Sequence, residues 1–145
     1  MKVTFFGHAD APHTITEPLT ALLRELIQQG ADVFYIGNHG DFDHIVTKIL
    51  GQLKLQYPHI RYSIVLSYMP HGKNLYNDFN TIPTILPESV ASTIPRFAIT
   101  KRNHWMLAEA DIVITYVTRA YGGAASFKKI AIQRGKKIYE ISELQ

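Results

Sequence analysis

The sequence predicts an α/β fold, a three-layer sandwich on a mainly parallel five-stranded sheet, and two observations carry that expectation. Short apolar runs alternate with helix-period segments along all 145 residues, the pattern of βαβ units in which each strand needs a crossover helix to return parallel to the last. The length suits one domain, residues 1–145, because a second core cut from so short a chain would bury too little surface to hold itself together. Hydrophobic residues make up 46% and charged residues 19%, ordinary globular usage that excludes disordered and fibrous classes.

Lys2 to Phe6 reads as the first strand and Val33 to Ile36 as the second. Between them Leu19, Leu22, Leu23, Leu26 and Ile27 recur at helical spacing. Thr14 with Glu17 has the form of a capping box, Pro18 is tolerated in the first turn, and Gly30 supplies the stop. Phe42, Ile45, Val46, Ile49, Leu50 and Leu53 make a second apolar stripe, ended by Tyr57-Pro58. The third strand is Arg61 to Leu66. Ser67 to Pro95 breaks the alternation: it holds four of the seven prolines and no sustained period. It is expected to be a long ordered crossing with a short extended piece at Thr84 to Leu86. Such a segment serves either as a lid or, through Tyr68, Met69, Tyr76 and Phe79, as a homodimer contact. A helix from about Lys101 to Glu109 leads to the fourth strand, Ile112 to Val117. After a Gly122-Gly123 turn come a helix from about Ala124 to Arg134 and the fifth strand, Lys137 to Ile141. The expected strand order is 3-2-1-4-5.

Several function classes are excluded at this level. No apolar run approaches the roughly 20 residues of a membrane span. The start Met1-Lys2-Val3-Thr4-Phe5-Phe6 is too short for a signal-peptide core, so a soluble, mature start is expected. The absence of cysteine removes disulfides, thiolate zinc sites and thiol nucleophiles together, and makes the cytoplasm the expected compartment. The net charge of +3 is too small to imply nucleic-acid binding. It is unevenly spread, however: residues 1–95 carry six Lys/Arg against eight Asp/Glu, and residues 96–145 nine against four. A basic C-terminal portion favours an anionic ligand, although a solvated basic helix explains Lys128, Lys129, Arg134, Lys136 and Lys137 equally well.

In an open parallel sheet, ligands bind beyond the carboxyl ends of the strands where the strand order reverses. That rule selects the loops Gly7 to His13, Gly37 to Asp43 and Thr118 to Ala124. Gly122, Gly123 and Ala124 would open a helix whose unpaired N–H groups and aligned dipoles favour a phosphate, unless they are only a tight turn. His39-Gly40-Asp41-Phe42-Asp43-His44, with His8, Asp10 and His13 nearby, approaches the HxHxDH metal signature of the metallo-β-lactamase fold. Asp41 stands where its second histidine belongs, and the flanking pattern is strand-loop-helix, so neither metal nor cofactor is expected. No G-x-S-x-G elbow is present, and Asp10, Asp41 and Asp43 are the only acids near the expected cleft. At a spacing of three, Arg102 and Trp105 share a helix face, where Arg102 could pair with a phosphate or with a nearby acid such as Asp10 or Asp43, and Trp105 could stack on a base or join the core with Met106.

Gly7-His8 after the first strand, Gly37-x-x-Gly40-x-Phe42-Asp43 after the second, Arg102 in a helix leading to Ala110-Asp111, and a fourth strand running to Gly122-Gly123 together resemble the SLOG superfamily. That group includes the lonely-guy phosphoribohydrolases, DprA-type DNA-processing proteins and small bacterial YpsA-like proteins, the last being the nearest resemblance. The resemblance spans nearly the whole chain. It implies a Rossmann-like domain that binds a nucleotide or nucleotide-derived ligand, with phosphate on the Gly122-Gly123-Ala124 turn. Base or ribose would then lie near Gly7, His8, Asp10, Asn38, Gly40, Phe42 and Asp43, with Arg102, Trp105 and Thr118 completing the site.

The departures bear on activity. The phosphoribohydrolase motif reads P-G-G-x-G-T-x-x-E after an Arg-Lys pair. Here Ala125 replaces the later glycine, Ser126 the threonine and Lys129 the glutamate, and Asn103 follows Arg102 where lysine would stand. Two readings follow: a sensor or binding module for a nucleotide-like small molecule, working as a homo-oligomer, or an N-glycosidic bond enzyme with Asp10 or Asp43 in place of the missing glutamate.

Overall fold

A computed structural model describes residues 1–68 and 82–144. Six parallel strands form one open sheet in the order β4-β3-β2-β1-β5-β6. The strands are β1 (Lys2–Gly7), β2 (Val33–Ile36), β3 (Arg61–Val65), β4 (Thr84–Ile85), β5 (Ile112–Tyr116) and β6 (Lys137–Glu140). The five expected strands lie side by side in the expected order, but the count is corrected from five to six. Thr84 and Ile85 pair with Ile64 and Val65 and add an edge strand outside β3. Two residues are too few to show the period-2 alternation by which a strand is read from sequence.

The helices are α1 (Thr16–Gln28), α2 (Asp41–Gln56), α3 (Glu88–Ala91), α4 (Ala98–Glu109) and α5 (Gly123–Gln133). The alternation along each strand sorts them into layers. Val3, Phe5, Phe34, Ile36, Ile112 and Ile114 join the cluster formed with α1 and α2. Phe6, Tyr35, Val65 and Val113 join the opposite cluster with Met106 and Leu107 of α4 and Phe127 and Ala131 of α5. This is a Rossmann-like arrangement with β1 at its centre. None of the described helices is long and apolar enough to cross a membrane.

Two local expectations are corrected. Thr14 lies inside a 3-10 turn, His13–Ile15, and α1 begins two residues later, at Thr16, with Ile15 in the N-cap position. Pro12 holds the extended backbone that feeds this turn, which displaces the helix start by one short turn. The α4 helix starts at Ala98, three residues before the expected Lys101, because the 3-10 turn Pro95–Phe97 leads straight into it. Of the residues expected to form a lid or dimer contact, Tyr68 is exposed, while Met69, Tyr76 and Phe79 lie outside the described residues.

Candidate functional site

The carboxyl ends of β1, β2 and β5 open onto a cleft of about 330 Å³. Gly7, His8 and Ala9 line it from the β1 loop, His39 and Asp43 from the β2 loop, and Arg119 with Gly122, Gly123 and Ala124 from the β5 loop. Ile99, Arg102, Asn103 and Met106 of α4 close the side, above Phe5 and Phe6. The three loops chosen from sequence therefore meet in one place, at the point where the strand order reverses.

Arg102 is only 3% exposed. Its Nη1 donates to Asn38 Oδ1 at 2.9 Å and to the Val65 carbonyl at 3.3 Å, and its Nε donates to Asn103 Oδ1 at 3.0 Å. All three acceptors are neutral. Among the described residues no carboxylate lies within ion-pair distance of the guanidinium. Burial disfavours its charge, and the field of Asp43 only partly opposes that. A buried cation hydrogen-bonded to neutral dipoles, with Asp43 beyond ion-pair distance, keeps a charge that is only partly compensated at the cleft it lines.

Asp43 is partly buried at the start of α2, and its Oδ2 accepts the His39 N–H at 3.0 Å. Burial pushes its carboxyl up to about 6, against the His39 hydrogen bond and the charges of Arg102 and His39. Gly37 makes room for this pair: a Cβ there would lie 2.7 Å from Asp43 Oδ2 and 3.1 Å from Arg102 Cζ.

Arg119 forms the other charged wall. Its Nη2 and Nη1 donate to the two oxygens of Asp10 at 3.1 and 3.3 Å, and its guanidinium sits 5.5 Å from the Tyr121 ring centroid. The hydrogen bond from Arg119 holds the Asp10 carboxyl below its usual value. Asp10 is thereby engaged outside the cleft lining.

The remaining expected site residues divide by what they touch. Phe42 is fully buried in the core, and a Cβ on Gly7 would meet its ring at 2.2 Å. Gly40 has φ +92°, and a Cβ there would fall 2.6 Å from Ala9 Cα, beside the Asp41 N–H to Ala9 carbonyl bond of 2.7 Å. Trp105 packs edge-on against Tyr35, with centroids 5.1 Å apart, in the second core cluster. Thr118 donates its N–H to His8 Nε2. Asn38 reaches the cleft only through Arg102. Phe42, Gly40, Trp105, Asn38, Asp10 and Thr118 are not among the residues lining the cleft.

The Gly122-Gly123 turn behaves differently. Gly122 is the N-cap of α5 at φ +98°, and among the described residues no side chain caps the first N–H groups of the helix. Among the described residues a Cβ on Gly123 would meet nothing within 4 Å, and its φ is not positive, so neither its backbone nor their packing requires glycine there. Lys128 reaches Glu140 at 2.8 Å and Lys129 is exposed.

Arg119 and His39 lay within the loops selected from sequence but were not named as ligand residues, Asn103 was noted only as a departure from the family motif, and Glu140 was missed. Arg119 had a signal, being the one cation between β5 and the glycine turn. Glu140 had none, because a strand's last residue carries no sequence mark of what it will accept. Among the described residues, no group of three or more His, Asp or Glu side chains is placed to hold a metal ion. No protein-family model matches the chain, and no curated protein matches it.

Proposed function

We propose that the chain binds a phosphorylated, nucleotide-derived small molecule in this cleft and acts as a SLOG-like sensor or binding module. The observation that carries the reading is the buried Arg102 guanidinium, which lacks a carboxylate partner among the described residues and lines the same cleft as the uncapped N-terminus of α5. A dianionic phosphate would satisfy both: the helix end offers N–H donors and positive dipole, and Arg102 offers a fixed charge. The open space above Gly123 adds support, since it leaves the backbone free for close approach. Asp43 then faces the non-phosphate part of the ligand, where a carboxylate accepts from a sugar hydroxyl or a base amino group.

Thermal shift and calorimetry with AMP, ADP-ribose, NAD and inorganic phosphate test this. Binding at one hundred times Kd stabilises the fold by about 2.7 kcal/mol, which a melting curve resolves. Arg102→Gln should abolish the shift. No shift with any of the four, or an undiminished shift in that variant, would overturn the reading.

A second reading has one observation behind it. Asp43, with its carboxyl pushed up to about 6, can take or give a proton near neutral pH, and it lines the cleft where Asp10 does not. It is therefore the better placed of the two aspartates for N-glycosidic bond cleavage. Exposed Lys129 leaves no carboxylate where the phosphoribohydrolases keep theirs, so turnover on nucleoside monophosphates should be slow. Release of free base from AMP at about 1 per second or faster, lost in Asp43→Asn, would favour the enzyme.

A further inference from the structure

The loop after β5 carries Arg119 and ends at the α5 N-terminus, so the cleft is only as well formed as that loop. Its first two amides are held by side chains from elsewhere. The Val117 N–H donates to both oxygens of Glu140, at 3.0 and 3.2 Å. The Thr118 N–H donates to His8 Nε2 at 3.0 Å. Glu140 is a firm anchor: it also accepts from the Thr115 hydroxyl at 2.7 Å, from the Ser142 hydroxyl at 2.7 Å and from Lys128 at 2.8 Å. Burial raises its carboxyl pKa, but these bonds outweigh that and hold it below its usual value, so the anchor stays charged. The main chain of His8 is tied to the strand end as well, its backbone N–H donating to the Tyr116 carbonyl at 3.2 Å.

A backbone N–H can only donate. His8 Nε2 therefore carries the lone pair and Nδ1 carries the proton, and the ring serves the loop only as a neutral imidazole. The charged groups around it are Arg119, Asp10 and Glu140, and the Tyr116 ring lies edge-on at 6.2 Å. Burial first, then Arg119, disfavours the imidazolium, against the smaller pull of Asp10 and Glu140.

We propose that His8 is a positioning residue: as a neutral acceptor it pins the loop after β5 in its anion-accepting shape, so that protonating it releases the loop and weakens anion binding. The ligand part of this rests on the anion-cleft reading above, while the pin rests on the hydrogen bonds alone. The sign separates it from direct contact. A histidine touching an anion would strengthen binding as it gained charge; a histidine that must accept from Thr118 weakens it.

The test compares AMP affinity of wild type, His8→Gln and His8→Ala between about pH 5 and 8. A glutamine Oε1 can accept where Nε2 did and does not titrate. Near pH 8, His8→Gln should bind within about twofold of wild type, and His8→Ala about tenfold more weakly because the Thr118 N–H loses its acceptor. Towards pH 5, wild type should lose affinity relative to His8→Gln. Asp43 and the phosphate titrate in both proteins, so their ratio isolates His8. A flat or opposite ratio, or wild-type affinity in His8→Ala, overturns the proposal.

Two ligand-free readouts decide the pin separately: nitrogen-15 NMR should give the Nδ1–H tautomer at neutral pH, and the Thr118 amide should exchange slowly in wild type and fast in His8→Ala. An Nε2–H tautomer or a fast wild-type amide overturns it. If those readouts hold while neither AMP nor inorganic phosphate binds any of the proteins, the pin stands and the anion-cleft reading alone falls.

Discussion

The loops after β1 and β2 and the loop after β5 offer the cleft the same kinds of residue, glycines, an aspartate or an arginine, and a histidine or open amides, yet they use them differently. In the first region the protein fills its own spaces: Phe42 occupies the room beside Gly7, Ala9 that beside Gly40, and Asp43 with Arg102 that beside Gly37. In the second, among the described residues, no protein atom lies within 4 Å of a Cβ built on Gly122 or Gly123, and no side chain caps the helix they open. A glycine at a strand end can thus answer to internal packing or to something that must approach from outside. Among the described residues, the second region leaves the space beside its glycines open.

The largest effect that would sharpen this contrast is on Gly7→Ala. The new Cβ would sit 2.2 Å from Phe42 Cγ, and the ring is fully buried, so the core must yield at a cost of about 2–3 kcal/mol. Gly123→Ala should leave stability unchanged or raise it by up to about 1 kcal/mol, since alanine is the better helix former and the space is open. Chemical denaturation of the two variants reads the contrast directly. Equal destabilisation would break it.

Asp43 supplies the next effect. Its folded pKa of about 6 lies above the ordinary 3.8, so the folded state binds the proton more tightly than the unfolded chain does. The stability linked to that proton is fully present below pH 3.8 and is lost as pH rises through about 6. Asp43→Asn, which can still accept the His39 N–H, should therefore be more stable than wild type at pH 8 by about 2–3 kcal/mol, an advantage that shrinks towards zero near pH 4. Unfolding free energies across this range check it. An advantage independent of pH would place the cause outside titration.

These two regions also show what could be read from the sequence. Strand order and layers were legible because period-2 and helical patterns are local and repeat along each element. The cleft loops were legible because the reversal of strand order follows from that order. What each loop residue touches depends on partners far along the chain: Arg119 and Asp10 are 109 residues apart, Thr118 and His8 110, Arg102 and Asn38 64. Gly7 and Gly40 looked like ligand glycines because a sequence shows a missing side chain and not what fills its place. Glu140 left no trace, and the two-residue β4 was legible only as a short extended piece and not as a strand of the sheet.

The smallest effects, and the ones that refine the contrast most, belong to Arg119 and its partner Asp10, set against Arg102. Arg102 is buried and fixed by three neutral acceptors, so its charge reaches a ligand through a medium that salt hardly screens. Arg119 is more exposed and shares its charge with Asp10, so removing either partner should leave the melting temperature unchanged. Their effects on AMP affinity should be modest and of opposite sign. Arg119→Ala leaves Asp10 near the cleft as an unpaired anion and should weaken binding about threefold at low salt, whereas Asp10→Asn frees Arg119 and should strengthen it by a similar factor. Both effects should fade at physiological ionic strength, where the screening length is about 8 Å, while the loss caused by Arg102→Gln persists. Calorimetry at two salt concentrations measures all three. An Arg119→Ala defect as large and as salt-independent as that of Arg102→Gln would mean that the exposed arginine, rather than the buried one, holds the anion.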